Sequence, residues 1–466
     1  MPRIPICRGI ACTVALSMTL SACAVGPNYS RPQMPVPDQY RFFEGTAQAE
    51  TLANAPFWQV FGDPALQDLI RVAIANNLDL RIALARVEEA RARAGIAKSF
   101  LYPVVDGVAG YGVRQATTTE ENDDTTHNNF TGGFRLAWEI DLFGRVKRQH
   151  ESAVATALAT EQARRGVMVT LVGDVATNYF LLRELDLQLQ IARQTLTIND
   201  QTVAYFTNRL QGGVSNRLEL DRIQANRAET AAAIPNLERQ IAVVENGLAL
   251  LLGRPPGSIG RSVLVATEPL PPQIPPGLPA SLLERRPDVV EAEQMLVAAN
   301  ADIGAAKALF FPSIGLSGFL GGVSGDLTTF LGGTGALWSF GTSLLQPIYQ
   351  GGRLRRNAEA AKARFDGALA AYQKAALNSY REVADSLVTI QKLAEVRTQR
   401  QIGVVALQDA ADLSRARYDT GLASYIEILT ADQQLFEQQL LLAQTQGAEL
   451  RARAELYRAL GGGWQQ

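Results

Sequence analysis

Histidines, cysteines and clustered acids are the side chains of this sequence that could do chemistry, and they are scarce. The 466 residues include two histidines and three cysteines. His127 follows four acids at positions 120, 121, 123 and 124, a composition that could capture a cation. A single histidine in a flexible acidic stretch does not fix ligand geometry, so we predict a solvated loop there. His150 lies beside Arg148 and Glu151 on a charged helix start, and we predict that it is a surface residue.

Motifs typical of enzymes are missing from the sequence. It contains no Gly-Lys-Ser/Thr phosphate loop, no Gly-x-Ser-x-Gly elbow and no His-Glu-x-x-His pair. The 44 basic and 46 acidic residues give a formal charge of −2, so there is no basic field to collect nucleic acid. We therefore expect a protein that is not an enzyme, with no catalytic residue, no cofactor, no metal site and no nucleic-acid partner.

All three cysteines lie at the N-terminus, the last of them at Cys23. Two arginines precede an apolar stretch at residues 9–20, which is the anatomy of an export signal. The stretch ends in Leu-Ser-Ala-Cys, which resembles a bacterial lipobox, although a plain secretory signal would look similar. We expect residues 1–22 to be removed, Cys23 to be acylated and, since Ala24 follows it, the protein to be sorted to the outer membrane. No disulfide is possible after Cys23.

A search for internal repeats finds two copies of one unit. Residues 98–103 recur at 307–312, an offset of 209, and residues 140–145 recur at 348–353, an offset of 208. The later landmarks keep the offset of 208, and they are Arg209 with Arg417, Glu219 with Glu427, and Leu252 with Leu460. We divide the chain into a signal peptide at 1–22, a lipidated tether at 23–63, a first repeat at 64–268, an extended Pro-rich linker at 269–286 and a second repeat at 287–466.

Each repeat is predicted to contain one β-hairpin, at about 102–143 and 312–349. The clearest strand covers residues 130–142, where apolar residues alternate with polar ones over about 12 positions, as in a membrane strand. A half-buried strand of a soluble sheet would show the same alternation, but the export signal favours the membrane. The other predicted strands are 104–113, 314–321 and 336–346, with long loops at 115–129 and 322–335.

Long helices are predicted to make up most of the rest. Residues 145–211 contain no proline, and as one helix these 67 residues would be about 100 Å long. Shorter helices at about 64–98 and 217–252 would together match that length. No later apolar stretch is long enough for a transmembrane helix. Four strands cannot close a membrane barrel, which needs about eight, so the chain should associate with copies of itself.

The whole mature chain resembles the TolC-type outer-membrane efflux lipoproteins, the outer-membrane factors of tripartite efflux systems, in their NodT-like branch. The motifs that carry the resemblance are Gly26-Pro27-Asn28-Tyr29, Phe61-Gly62-Asp63-Pro64-Ala65-Leu66 and Leu283-Glu284-Arg285-Arg286-Pro287-Asp288-Val289. The resemblance implies a mainly α fold with a transmembrane β part. It implies a homotrimer with a 12-stranded β-barrel continued by a 12-helix periplasmic α-barrel, joined by a periplasmic adaptor protein to an inner-membrane pump.

Two carboxylates then become candidate site residues at the ends of the long helices. A glycine ends each long helix, Gly213 or Gly421, and Glu219 or Glu427 follows six residues later. The resemblance implies that these glutamates line a periplasmic gate, and that Tyr418 ties the tips together through a hydrogen bond to Glu219. The alternative is that both are ordinary solvated glutamates on a helix surface.

The sequence thus predicts a passive efflux duct in the bacterial outer membrane, lipid-anchored and extending into the periplasm. One alternative is a lipid-anchored periplasmic helical scaffold whose hairpins form a small soluble domain. Another is an outer-membrane duct for one-step protein secretion, which would share the fold. The matching hairpins favour a duct, because a soluble domain would not need two of them.

Overall fold

The computed structural model describes residues 24–40, 62–117, 124–262, 279–333 and 335–462, and this part of the chain is mainly helical. In chain order the helices are α1 (Pro64–Asn76), α2 (Leu78–Ser99), α3 (Arg145–Gln211), α4 (Arg217–Leu251), α5 (Leu282–Arg285), α6 (Pro287–Ala308), α7 (Leu327–Leu331), α8 (Arg353–Asp419) and α9 (Tyr425–Ala459). Within these described residues, no helix combines the length and the apolar composition that a membrane crossing requires.

Corresponding helices of the two halves have equal lengths. Helices α3 and α8 both contain 67 residues, α4 and α9 both contain 35, and α2 and α6 both contain 22. Glycines at positive φ precede and follow each long helix, Gly144 at +75° and Gly213 at +73° in the first half, Gly352 at +82° and Gly421 at +77° in the second. Glycine adopts this conformation without steric cost, so the same local signals start and stop both helices. The predicted 67-residue helix is confirmed.

The helix predicted at 64–98 is divided at Asn77. This residue has extended backbone angles, φ −60° and ψ 131°, and its N–H still bonds the Ala73 carbonyl at 2.8 Å. Its side-chain oxygen accepts from the Leu80 N–H at 2.9 Å, which caps α2. Its side-chain NH₂ donates to the Leu251 carbonyl at 2.9 Å, at the end of α4. The backbone and side chain of this one buried residue therefore satisfy groups at three helix ends, a long-range role that helix periodicity does not reveal.

The linker predicted to be extended is helical in its last part. Residues 269–278 lie outside the described part of the chain, but Pro279–Ser281 form a 3₁₀ turn and α5 follows it directly. Proline suits the first turn of a helix, and no other proline lies between Pro279 and Pro287. Burial of Leu282 in the core supplies the packing that keeps this segment helical.

The four strands form one antiparallel sheet in the order β1 (Val104–Thr117), β2 (Asp124–Ile140), β3 (Ser313–Ser324) and β4 (Ala336–Leu345). The strands of the first hairpin extend further towards their turn than predicted, so the loop predicted at 115–129 is wrong and only residues 118–123, outside the described part, separate the strands. The loop predicted at 322–335 is also shorter, because β3 continues to Ser324 and the short helix α7 follows. In the part of the chain that the structure describes, β1 pairs only with β2 and β4 only with β3, so two strand edges have no partner there.

One face of this sheet is apolar across all four strands. Phe134 pairs with Gly107 and Leu320, and Leu320 pairs with Trp338, so these residues form a row on one face. Their large side chains remain 61%, 65% and 75% exposed for Phe134, Leu320 and Trp338. The neighbouring row on the opposite face is more polar and consists of Asp106, Arg135, Phe319 and Ser339. An exposed apolar face of this extent is typical of a surface that another apolar phase covers.

The described residues divide into two compact units, and each unit takes segments from both repeats. The first contains residues up to Gln33, Arg86–Glu161 and Glu291–Gln373, and therefore the whole sheet. The second contains Met34–Ala85, Gln162–Val290 and Lys374–Gln466, with the gaps stated above. The repeat boundaries predicted from the sequence remain a prediction, because the compact units cross them.

In the core of the second unit, charged side chains form an ion pair between α3 and α9. Glu184 on α3 forms an ion pair with Arg451 on α9 and accepts a hydrogen bond from Gln188 at 2.9 Å. A side chain at position 447 would collide with Glu184, so Gly447 leaves the space that this carboxylate occupies. Burial raises the pKa of Glu184 above its ordinary value, even though the Arg451 guanidinium opposes the rise.

In the first unit the segment after Cys23 is bound to the helices and is not a free tether. The Val25 N–H donates to the Phe143 carbonyl at 3.1 Å, and Asn28 accepts from Arg148 at 2.8 Å. Tyr29 donates to Glu293 at 3.1 Å, and Arg31 forms an ion pair with the same carboxylate. We call residues 24–31 the N-terminal strap. It joins the start of α3 to α6, which come from different repeats.

The strap crosses α6 where two glycines meet. Gly26 has φ +108°, and a Cβ placed on it would lie 2.5 Å from the Cα of Gly304. We expect Gly26→Ala to lower the free energy of unfolding by about 1 to 2 kcal/mol for the backbone conformation and by about 1 to 3 kcal/mol more for overpacking. The measurement is thermal or denaturant unfolding of the purified protein in detergent.

Gly62→Ala is the matched control, because Gly62 also has positive φ, +61°, but a Cβ there meets nothing within 4 Å. It should show the backbone cost alone. Equal losses for the two variants would contradict a tight strap crossing.

Candidate functional site: the two helix tips

The ends of α3 and α8 have the same turn. The Gly213 N–H donates to the Leu210 carbonyl and the Val214 N–H to the Arg209 carbonyl, both at 3.0 Å. In the second half the Gly421 N–H donates to Tyr418 and the Leu422 N–H to Arg417, both at 2.9 Å. These are the paired bonds of a glycine C-cap. We call residues 205–221 and 413–429 the first and second tips.

Glu219 belongs to the start of α4 in the first tip. The Asn216 side chain accepts from the Glu219 N–H at 2.9 Å and caps the helix. The Glu219 carboxylate accepts from the Ser215 hydroxyl at 2.7 Å. A carboxylate in the first turn also interacts favourably with the helix dipole. The residue therefore contributes to starting the helix, and its carboxylate is already engaged within its own tip.

Glu427 has the equivalent place in the second tip with different partners. Ser424 precedes α9 but makes no side-chain capping bond. The Glu427 carboxylate lies 3.9 Å from the Arg417 guanidinium, and both side chains are about half exposed. An exposed ion pair at this distance contributes little to stability. Glu427 is thus the freer of the two tip carboxylates.

Aromatic side chains join the two tips within one chain. The centre of the Phe206 ring is 4.4 Å from that of Tyr425 and 6.0 Å from that of Tyr418, and the centres of the two tyrosine rings are 5.8 Å apart. Leu220, Ile223 and Ile428 are the other buried members of this cluster, and Tyr418 packs against it partly buried. Burial raises the pKa of Tyr418 and of Tyr425 above the ordinary value for a phenol, so both are neutral at physiological pH.

The structure places Glu219, Glu427 and Tyr418 at the tips, but it contains no hydrogen bond between Tyr418 and Glu219 within the described chain. The Tyr418 ring instead packs against Phe206 and against the guanidinium of Arg209, whose Cζ is 5.7 Å from the ring centre. Neither Phe206 nor Arg209 was predicted as a site residue, and Arg209 served only as a landmark of the repeat. The aromatic residues near both glycines were the available signal, but nothing in the sequence says that they meet.

The other residues with chemical potential have different outcomes. Cys23 and the side chain of His127 lie outside the described residues. The prediction that His150 is a surface residue holds in part, because its side chain is half-buried and its Nδ1 is inaccessible, with no hydrogen-bond partner among the described residues. Among the described residues no group of three or more His, Cys, Asp or Glu side chains is placed to hold a metal ion.

Two motif residues noted in the sequence turn out to stabilise helix ends. Asp63 accepts from the Ala65 N–H at 3.0 Å to cap α1, and also from the Tyr179 hydroxyl at 2.6 Å. Burial would raise the Asp63 pKa, but these hydrogen bonds, together with one from Ser262, hold it below its ordinary value. Arg286 donates to the Ala459 carbonyl at 2.8 Å, at the last residue of α9. Both motifs therefore serve the fold rather than a ligand.

Comparison with known proteins agrees with this architecture. The family model described as "Outer membrane efflux protein" matches residues 69–254 and 278–462. The chain is 35% identical over 463 residues to the cation efflux system protein CusC of Escherichia coli O6:H1, with 99% of each chain covered. It is 35% identical over 458 residues to the solvent efflux pump outer membrane protein SrpC of Pseudomonas putida, with 96% of this chain and 97% of that one covered.

Solved structures give the same result. The outer-membrane channel OprN superposes with a TM-score of 0.89 at 30% identity, covering 95% of this chain and 100% of that chain. A crystal structure of CusC superposes with a TM-score of 0.85 at 34% identity, covering 94% and 99%. The resemblance seen in the sequence is confirmed: this chain belongs to the outer membrane efflux protein family, and it is an efflux channel of the outer membrane.

Proposed function

We propose that three copies of this chain form one passive duct that carries small molecules through the outer membrane. The four-stranded sheet with two unpaired edges and an exposed apolar face is the observation that carries this proposal. Backbone N–H and C=O groups cannot be left unpaired in lipid, so the edges of β1 and β4 need partners. Pairing β4 of one copy with β1 of the next satisfies both edges.

Three copies supply twelve strands, within the range of known membrane barrels. β3 has 12 residues and β4 has 10, which is enough to cross the hydrocarbon layer at the usual tilt. The apolar row with Phe134 and Trp338 would face lipid, and the row with Asp106 and Arg135 would face the lumen. A 12-helix periplasmic α-barrel, with two long helices and the shorter ones from each copy, would continue the duct.

We further propose that acylation of Cys23 anchors each chain to the inner leaflet. The strap begins one residue later, and its Val25 bonds Phe143 just after β2 ends. Cys23 would then sit where the proposed membrane strands give way to helices. This position suits an acyl chain inserted beside the barrel.

The tips would form the entrance, where a periplasmic adaptor protein and an inner-membrane pump deliver the cargo. Relatives of equal identity, 35%, are named for cation efflux and for solvent efflux. This supports a duct that does not itself select the cargo. The six carboxylates from Glu219 and Glu427 of three chains would add negative charge near the axis, reduced by Arg417 beside each Glu427.

Assembly should depend on the apolar face of the sheet. Leu136 lies on that face, paired with Val105 and Gly318. We expect Leu136→Arg to cost about 2 to 4 kcal/mol per chain near the bilayer centre and to abolish the detergent-stable trimer, measured by light scattering of the purified protein. The control is Ala137→Arg, the next residue on the opposite face, which should still assemble. A folded, water-soluble monomer after removal of Cys23 would refute the barrel.

The anchor is tested by Cys23→Ser. Mass spectrometry of the wild type should show a mature chain that begins with a lipid-bearing Cys23, and the variant should lack the lipid. Because Cys23 is the only cysteine after the signal peptide, no other thiol can take the modification. An unmodified wild-type chain that begins at Met1 in the membrane fraction would disprove this assignment.

Glu427 is expected to contribute to ion preference at the entrance. In planar bilayers, Glu427→Gln should lower the cation-to-anion permeability ratio, since it removes three negative charges from the proposed ring. Glu395→Gln is the control, because this exposed glutamate is paired with Lys392 on α8, about 36 Å along the helix from Asp419. Equal ratios in wild type and Glu427→Gln would show that Glu427 is only a solvated surface residue.

A further inference from the structure

The two tips have equivalent arginines, Arg209 and Arg417, at the repeat offset of 208. Both lie near the end of a long helix, where Arg209 is half-buried and Arg417 is exposed. Each side chain donates a hydrogen bond to the backbone carbonyl five residues later. Arg209 reaches Val214 at 3.4 Å and Arg417 reaches Leu422 at 3.5 Å. The backbone around them is the same, so differences in their surroundings come from side chains alone.

Arg209 lies between two tyrosine rings. Its Cζ is 5.6 Å from the centre of Tyr205, on the same helix, and 5.7 Å from the centre of Tyr418, on the second tip. Its Nη1 also donates to the Tyr205 hydroxyl at 2.9 Å. These distances are within the range in which a guanidinium is attracted to an aromatic face. No carboxylate among the described residues is within ion-pair distance of Arg209, so the position of its guanidinium depends on the two tyrosine rings.

Arg417 has no such environment. The residue equivalent to Tyr205 is Leu413, and the residue equivalent to Tyr418 is Leu210. Among the described residues, the one side-chain partner of Arg417 is therefore Glu427, at 3.9 Å. The duplication has kept the arginine at both tips but placed it in an aromatic site at one tip only. This contrast makes Arg417 an internal control for Arg209.

We propose that Arg209 is a positioning residue of the duct entrance, which fastens the first tip to the second through the ring of Tyr418 and restrains opening. The inference rests on the proposed function and deepens it. The tie needs the flat guanidinium and the aromatic ring, and it does not need the Tyr418 hydroxyl. This distinguishes it from a hydrogen bond between Tyr418 and Glu219, which would need the hydroxyl.

Arg209 also explains how the aromatic cluster is kept in register. Phe206 is one helical turn before Arg209 and contacts both Tyr418 and Tyr425. The cluster gives the tips apolar contact, but contacts between rings alone do not fix the relative positions of the rings. Arg209 bonds the Val214 carbonyl of its own turn while it faces Tyr418, so it links the position of that ring to the first turn. Its planar, weakly hydrated group suits this site better than an ammonium does.

The test compares single-channel recordings of the full-length protein in planar bilayers. Arg209→Gln should raise the open probability at least about fivefold, the factor expected if opening breaks one of the three cation–π contacts of the duct, whereas Arg417→Gln should leave it unchanged. Tyr418→Phe keeps the ring and should behave as wild type, whereas Tyr418→Leu, which also loses the ring contacts with Phe206 and Tyr425, should open at least as much as Arg209→Gln. The double variant Arg209→Gln with Tyr418→Leu should open no further than Tyr418→Leu alone, because the contact with Arg209 is already lost there.

Hydrogen exchange provides a second measurement that does not depend on conduction. Backbone amides of the first tip, residues 205–221, should exchange faster in Arg209→Gln than in Arg417→Gln, with the rest of α3 unaffected. Equal behaviour of the two glutamine variants in both measurements would overturn the inference. An increase in open probability for Tyr418→Phe as large as for Tyr418→Leu would also overturn it. A wild-type protein that forms no channel would instead contradict the proposed function, and exchange would still test the tie.

Discussion

Unpaired backbone groups at the two edges of a four-stranded sheet are the constraint on which the rest of this structure depends. The apolar face carrying Phe134, Leu320 and Trp338 is suited to lipid, and in lipid an open edge is not tolerated. Under the proposed function, the four strands of one chain do not close the sheet, and other copies would complete its two edges. The helices continue from the hairpins, because short connections join each hairpin to a helix at both of its ends.

Duplication gives both halves the same helical frame but not the same surface. The 67-residue helices start and stop at equivalent glycines, and their terminal turns have matching hydrogen bonds. Against that shared frame, a few substitutions decide what each tip can do. Tyrosines at 205 and 418 enclose one arginine, whereas leucines at 210 and 413 leave its counterpart facing a glutamate. Symmetry of the backbone thus coexists with chemical asymmetry at the two tips.

The most conspicuous polar motifs of the chain stabilise its fold. Asp63 caps a helix while it accepts from Tyr179, and Arg286 covers the last carbonyl of α9. Asn77 satisfies groups at three helix ends. Several helices of this chain end close to one another, and each helix end has backbone N–H or C=O groups that need hydrogen-bond partners. Buried polar side chains supply those partners, which explains why they lie at helix boundaries.

Local signals in the sequence were sufficient for the elements. Prolines, glycines and the alternation of apolar residues predicted the long helices, the hairpins and the repeat, because those patterns act over a few residues. The family was also evident from the sequence. Contacts between distant segments were not predictable in the same way. Arg209 meets Tyr418, and Gly26 meets Gly304, only because tertiary packing brings them together. A residue's type and its neighbours determine which conformation the backbone prefers, but its partners depend on packing that acts through space.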